Sequence, residues 1–233
     1  MENGEKQWYG KWWGILLILF LTLAAIVIVA LGFYVANLAG GIKREKTLSQ
    51  ELLTEINTYK TVEPNPAITG TNNYWFGSSK PKITIVEFAD FSCPLCKNSF
   101  PNIREIGLKY KNDVKIIFRD FPLYENSINL ALATRCAGEQ GLFWLMHDKL
   151  FVQQDKFSLE ELPNLANQIG ADVNKFNDCL KNEKYLNNIK KDYSDAQVLE
   201  VTGTPTWFIN GYKISGDIPN DLFIQIIEEL MKN

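Results

Sequence analysis

The sequence predicts an α/β protein in which an inserted all-helical subdomain interrupts a small sheet, preceded by one N-terminal transmembrane helix. Three observations carry this. Residues 15–36 form a 22-residue apolar run without a charge. A β-α-β pattern at 82–118 and a β-β-α pattern at 206–231 stand at the two ends of the remaining chain. Between them, residues 125–200 show helical periodicity and no strand pattern, so the sheet must be completed across a block of helices.

Composition narrows the function classes. Of 233 residues, 46% are hydrophobic and 22% charged, which suits a packed core and excludes both a disordered polymer and a multi-span membrane protein. Lys and Arg number 24 against 27 Asp and Glu, a formal charge of -3, which offers no field for phosphates; nucleic acid is not an expected partner. Four cysteines and one histidine, His147, leave little material for a His-rich metal site.

Taken in order, residues 1–14 are read as a cytoplasmic segment and 15–36 as the span, about 33 Å long as a helix. Trp8, Tyr9, Trp12 and Trp13 stand at its front edge and Phe33 and Tyr34 near its rear, as interfacial rings do. The run exceeds the h-region of a signal peptide and no A-x-A site comes after it, so it is expected to be a retained anchor. Lys6 and Lys11 before it and Lys43, Arg44 and Lys46 after it barely orient it. Residues 37–80 read as stalk and linker: a polar stretch with Leu48, Leu52, Ile56 and Tyr59 at helical spacing, then a tether dense in turn residues. That stretch is either a frayed linker or a short helix, because its apolar stripe is thin.

The folded domain is expected over 81–233. Residues 82–88 read as a buried strand, 97–111 as a helix with Pro101 inside it, and 114–118 as a second strand parallel to the first. Helices come next at 126–139, 141–153, 158–169 with the capping pair Ser158 and Glu161, 172–181 and 183–200, an insertion over about 124–200. Asn210-Gly211 marks a hairpin between strands 206–209 and 212–215, and residues 219–231 close the chain as an amphipathic helix.

Cys93-Pro94-Leu95-Cys96 falls between the first strand and the helix after it, which places the first thiol beside the N–H groups and positive end of that helix. A thiolate is both the attacking species and the better leaving group in disulfide exchange, so Cys93 is read as the attacking sulfur and Cys96, one turn on, as the resolving one. Zinc is the competing reading of C-x2-C, but Cys136, Cys179 and His147 lack a second knuckle spacing. A structural disulfide would close a very short loop, where the stabilisation is least. Cys136 and Cys179, 43 positions apart in two helices, can be a bridge or two separate buried thiols. His147 reads as a helix residue bonded to a carboxylate or to backbone.

TIVEFADFSCPLC, GLFWLMHDKLF and VTGTPTWFINGYKISG, in this order, resemble the DsbA-like branch of the thioredoxin superfamily, the thiol:disulfide oxidoreductases with a helical insertion. The resemblance covers about residues 74–233 and implies a thioredoxin fold, with the 109 positions between Cys96 and Pro205 filled by the insertion. It implies that Thr204-Pro205 is a cis-proline loop facing the cysteine pair, with the Thr204 backbone pairing with a bound substrate strand. It favours the Cys136–Cys179 bridge. It also suggests Glu87, six residues before Cys93, as a buried acid near the resolving cysteine, against the alternative of a solvent-facing or lysine-paired carboxylate; Asp90 is a weaker candidate. Pro94 and Leu95 supply no His to favour the thiolate, a departure that bears on oxidising strength.

The function expected is that of a membrane-anchored enzyme, a single-pass protein of the cell membrane with its C-terminal domain on the periplasmic or cell-surface side. It would pass a disulfide from Cys93–Cys96 to secreted proteins as they fold, with no dissociable cofactor. A quinone-linked membrane protein of DsbB or vitamin-K-epoxide-reductase type would reoxidise it, by analogy. The alternatives are a reductase or isomerase with the same chemistry reversed, and a non-catalytic thioredoxin-fold binding or chaperone module.

Overall fold

The structure is a computed structural model and describes residues 12–57, 65–71, 73–154 and 156–232. The chain divides into two units, Met1–Leu52 and Leu53–Asn233. The expected cytoplasmic segment up to residue 11, with Trp8 and Tyr9, lies outside the described residues, as does Tyr59.

A single helix, α1 (Trp12–Asn57), contains the apolar run, and its Trp12–Lys43 stretch is long and apolar enough to cross a membrane. It does not stop where the apolar run stops. The stretch beyond contains no proline, and Gly40 and Gly41 each cost only about 1 kcal/mol against Ala, which a continuing helix tolerates. The polar stretch after residue 43 is therefore helical as far as Asn57 rather than frayed.

The second unit starts earlier than residue 81. A helical turn, α2 (Pro66–Thr69), capped by the Asn65 side chain, is followed by β1 (Trp75–Gly77). Then come β2 (Ile83–Ala89), α3 (Pro94–Lys109) and β3 (Val114–Asp120). The sheet order is β1-β3-β2-β4-β5, with β2 and β3 parallel and every other pair antiparallel. A three-residue strand shows no periodicity, so β1 has no signature in sequence; pairing holds it, with Phe76 opposite Ile116. The Phe76 ring also meets Trp144 edge-on at 4.5 Å and lies under the Arg104 guanidinium at 4.4 Å.

The insertion consists of α4 (Ser127–Gly138), α5 (Phe143–Val152), a 3-10 turn at Leu159–Glu161, α6 (Leu162–Gln168), α7 (Val173–Lys181) and α8 (Leu186–Val198). The expected 158–169 helix is thus split into a turn, with Ser158 and Glu161 forming the capping box, and a helix opened by Pro163. The helix expected from 183 starts at Leu186, because Glu183 sits at φ 45°, outside helical space. β4 (Thr206–Ile209) and β5 (Tyr212–Ser215) form the hairpin, and α9 (Asn220–Met231) closes the fold.

Alternation along β2 sends Val86 and Phe88 into one core with Ile117, Phe208 and Ala196 of α8. A second core joins Ala89, Phe91, Cys93, Cys96 and Phe118 to Phe143, Met146, Leu150 and Phe151 of α5, so the active-site turn and the insertion share one apolar interior. Two buried arginines bolt these layers together. Arg119 of β3 donates to Asp192 and Asp195 of α8, both at 2.7 Å, and to the Ala67 and Ile68 carbonyls at 3.0 and 2.9 Å. Arg135 of α4 donates to Asp120 and Asp192. Removing one member of such a buried set leaves an uncompensated charge, at a cost of about 3–5 kcal/mol. Cys136 of α4 and Cys179 of α7 are joined as a disulfide with Cα atoms 5.7 Å apart. A loop of 43 residues makes the bridge worth on the order of 4 kcal/mol, an upper value.

Candidate active site

β2 delivers the chain to a tight turn at residues 90–92, in which the Cys93 N–H donates to the Asp90 carbonyl at 3.0 Å. Cys93 is the N-cap residue of α3, with extended backbone at φ -80° and ψ 123°, and Pro94 takes the first helical position, where its missing N–H costs nothing. The Cys93 side chain makes no capping hydrogen bond, but it stands at the positive end of α3. Cys93 and Cys96 are both reduced; Cys93 is 3% exposed and Cys96 is fully buried, so only the first can be met from outside.

The two thiols are driven apart. The Cys93 pKa falls from 9.0 to about 5, first because the Cys96 side chain hydrogen-bonds to the sulfur, then through Thr204 and the Cys96 and Leu95 N–H groups, all against the opposing effect of burial. Cys96 is pushed far up by burial, by its bond to Cys93 and by the charge of Glu87. At neutral pH the pair is one thiolate and one thiol.

Thr204-Pro205 is a cis peptide, and the Cys93 sulfur stands 3.3 Å from the Thr204 carbonyl, to which it donates when protonated, across 111 positions of sequence. The hairpin holds this loop from the other side, where the Gly216 N–H donates to the Pro205 carbonyl at 2.8 Å. Pro94 and Leu95 are exposed, Leu95 by 47%.

Glu87 is opposite Phe118 of β3 and Trp207 of β4, on the sheet face away from Val86 and Phe88. It is buried, and one carboxyl oxygen, Oε1, has no partner within the protein. Burial first, and then the charge of Cys93, raise its pKa from 4.5 to about 8. A protonated acid within electrostatic range of both sulfurs can supply or take the proton of Cys96.

Sequence reasoning missed one organiser of the site and saw a second only as a weaker candidate for a buried acid. Gln154, just beyond α5, donates through Nε2 to the Phe91 and Cys93 carbonyls at 2.8 and 3.0 Å, fixing the active-site turn to the insertion. Its partners lie more than 60 positions away, so no local pattern announces it. Asp90 is the second. Its Oδ1 accepts from the Ser92 N–H at 2.8 Å, and its Oδ2 accepts from the Leu123 N–H at 2.6 Å and the Ser127 hydroxyl at 2.8 Å. The Asp-x-Ser turn signal was legible in this case; the long-range half was not. A cavity of about 340 Å³ opens beside the turn, lined by Phe91, Ser92, Asn126, Leu130 and Gln154 among others.

His147 lies off the site. Its Nδ1 is 2.9 Å from Asp148, and Phe91, Phe118, Trp144 and Phe151 surround the ring. Burial holds its pKa below the usual value. No group of three or more His, Cys, Asp or Glu side chains that could hold a metal occurs among the described residues. The sulfurs of Cys136 and Cys179 are bonded to each other, so neither can complete a zinc site with Cys93 and Cys96.

A thiol of lowered pKa at a helix N-terminus, a buried thiol one turn on and a cis-proline beside the first define the class of site. A thioredoxin family model matches residues 69–229, and the chain belongs to that family. Among solved structures, the thiol-disulfide exchange protein alpha-DsbA2 from Wolbachia pipientis superposes with a TM-score of 0.65 at 23% identity, over 79% of this chain and 98% of that one. Oxidised BdbD from Bacillus subtilis superposes with a TM-score of 0.61 at 27% identity, over 68% of this chain and 92% of that one. Among curated relatives, a Na(+)/H(+) antiporter NhaA 3 from Salinispora tropica is 34% identical over 143 residues, 60% of this chain. The chain spans about a fifth of the length of the curated relatives it matches.

Proposed function

We propose that this chain is a membrane-anchored, extracytoplasmic thiol:disulfide oxidoreductase that passes the Cys93–Cys96 disulfide to secreted or surface proteins as they fold. A substrate thiolate attacks the Cys93 sulfur, the Cys93–Cys96 bond breaks, and Cys96 leaves with its electron pair and takes a proton relayed by Glu87. A second substrate thiolate then attacks the substrate sulfur of the mixed disulfide, and Cys93 leaves as a thiolate. The substrate loses two electrons and the enzyme gains them. The Thr204 backbone beside Cys93 is the edge on which an extended substrate segment would pair.

One observation carries the direction of transfer. Cys93 ionises near pH 5, and a thiolate stabilised only in the reduced fold makes the disulfide the less stable form and so the better oxidant. Attacking thiols that ionise near pH 3.5 belong to strong oxidants and those near 7 to reductants, so a Cys93 thiol near 5 supports an intermediate oxidising strength. The disulfide it donates persists only outside the cytoplasm, and the apolar part of α1 would hold it there. Reoxidation needs an acceptor in the same membrane, by analogy a quinone-linked protein of DsbB or vitamin-K-epoxide-reductase type. The antiporter activity named for the curated relatives is not carried over, since the match reaches so small a part of them.

The test is the equilibrium of the detergent-solubilised full chain with glutathione buffers. A Cys93–Cys96 potential between roughly -120 and -230 mV is expected, whereas a value near about -270 mV would replace this reading with a reductase.

A further inference from the structure

Gln154 reaches the active-site turn at the backbone of the residue that carries the chemistry. Cys93 makes no side-chain cap bond to α3, and Pro94 after it has no N–H to give. The Cys93 N–H donates to the Asp90 carbonyl at 3.0 Å, and the Cys93 carbonyl accepts twice, from the Lys97 N–H at 3.1 Å and from Gln154 Nε2 at 3.0 Å. The same nitrogen donates to the Phe91 carbonyl at 2.8 Å, so one amide holds the turn on both sides of Ser92. Only the nitrogen end of an amide can meet two carbonyls, which fixes the orientation of the side chain. Gln154 is itself well anchored. It is buried, its N–H donates to the Phe151 carbonyl at 3.3 Å, and its carbonyl accepts from Lys97 Nζ at 3.4 Å. Phe151 in turn lies in the core that contains both cysteines.

We propose that Gln154 is a positioning residue, which holds Cys93 in place during the stage of the exchange in which the Cys93–Cys96 bond is open. The inference rests on the thiol-disulfide exchange proposed for this pair. In the oxidised protein that bond closes a short ring through Pro94 and Leu95 and ties Cys93 covalently to the first turn of α3. In the reduced protein, the form the structure shows, the tie is gone. The sulfur then keeps its place 3.3 Å from the Thr204 carbonyl only as far as the backbone behind it is held. Pro94 and Leu95 offer no side-chain donor for this task, and it falls to the insertion. The two bonds from Gln154 therefore stabilise the reduced form more than the oxidised one, and that difference favours opening of the disulfide and adds to its oxidising strength.

The experiment uses the full chain in detergent with Gln154→Met, which keeps the length of the side chain and removes both donors. The equilibrium constant for oxidising glutathione should fall by about 3- to 10-fold, the effect of losing neutral hydrogen bonds that count mainly in one of the two states. The Cys93 thiolate midpoint, read by ultraviolet absorbance against pH, should rise by about 0.5 unit as the sulfur loses its fixed setting. The reduced variant should melt about 2 to 5 °C below the reduced unmodified protein, and the oxidised variant should lose less than about half as much. Equal losses in the two redox states, with the equilibrium constant unchanged, overturn the proposal and assign Gln154 to the fold at large. An oxidised variant that fails to fold overturns it too, since the disulfide should stand in for the missing amide; a variant that folds only when oxidised supports it. If the unmodified protein exchanges no disulfide, the functional reading fails instead, and the melting temperatures of the chemically oxidised and reduced forms still decide the role of Gln154.

Discussion

Glu87 carries a full carboxyl into the middle of the sheet with one oxygen unpartnered, and its titration has a definite sign. In the unfolded chain it ionises near 4.5 and in the fold near 8, so between these values the unfolded state releases a proton that the native state keeps. Its contribution to stability is therefore complete below about pH 4.5 and is lost as pH rises through 8, by on the order of a few kcal/mol. The measurement belongs on the oxidised protein, in which Cys93 and Cys96 do not titrate. There, the melting temperature should fall between pH 5 and 8.5, and Glu87→Gln should largely flatten that fall while slowing formation of the mixed disulfide, because the leaving Cys96 loses its proton relay. Equal slopes in the two proteins would remove Glu87 from the site. At this scale the sequence was explicit about the cysteines, because a helix start beside C-x2-C has one electrostatic meaning. It left Glu87 open, because alternation gives a face but not what covers it.

Among the elements, β1 and α3 show how tightly the frame around the site is packed. A Cβ on Gly107 of α3 would stand 1.9 Å from the Phe76 ring and 2.8 Å from Ile116. In an open helix, Gly→Ala would gain roughly 0.5–1 kcal/mol. Here the ring is already held by Trp144 and Arg104, so overpacking wins. Gly107→Ala should destabilise by about 1–2 kcal/mol in denaturant unfolding, with the Cys93 midpoint unchanged; a stabilised variant would mean that Phe76 moves aside freely. Long periodic elements such as α9 and the Asn210-Gly211 hairpin were legible because period and turn chemistry are local. Strand β1, the turn α2 and the start of α8 were not, since pairing with β3, a cap and one left-handed residue decide them.

For the whole molecule, the charges flanking the apolar run nearly balance, so topology has to follow from chemistry. On the function proposed, the domain donates disulfides and works only in an oxidising compartment. Protease added to intact spheroplasts should therefore digest the part beyond residue 43; full protection in intact spheroplasts, with digestion only after lysis, would reverse the topology. The sequence by itself determined the class of fold, the apolar run, the redox pair and the size of the insertion, because each is written in local pattern or in spacing. The tertiary structure alone decided that Gln154 and Asp90 lock the active-site turn and that Arg119 and Arg135 bind the layers. Apart from the Asp90–Ser92 contact, those residues act on partners from 15 to more than 70 positions away, and the force that brings such groups together is the burial of a common core, which no window of sequence contains.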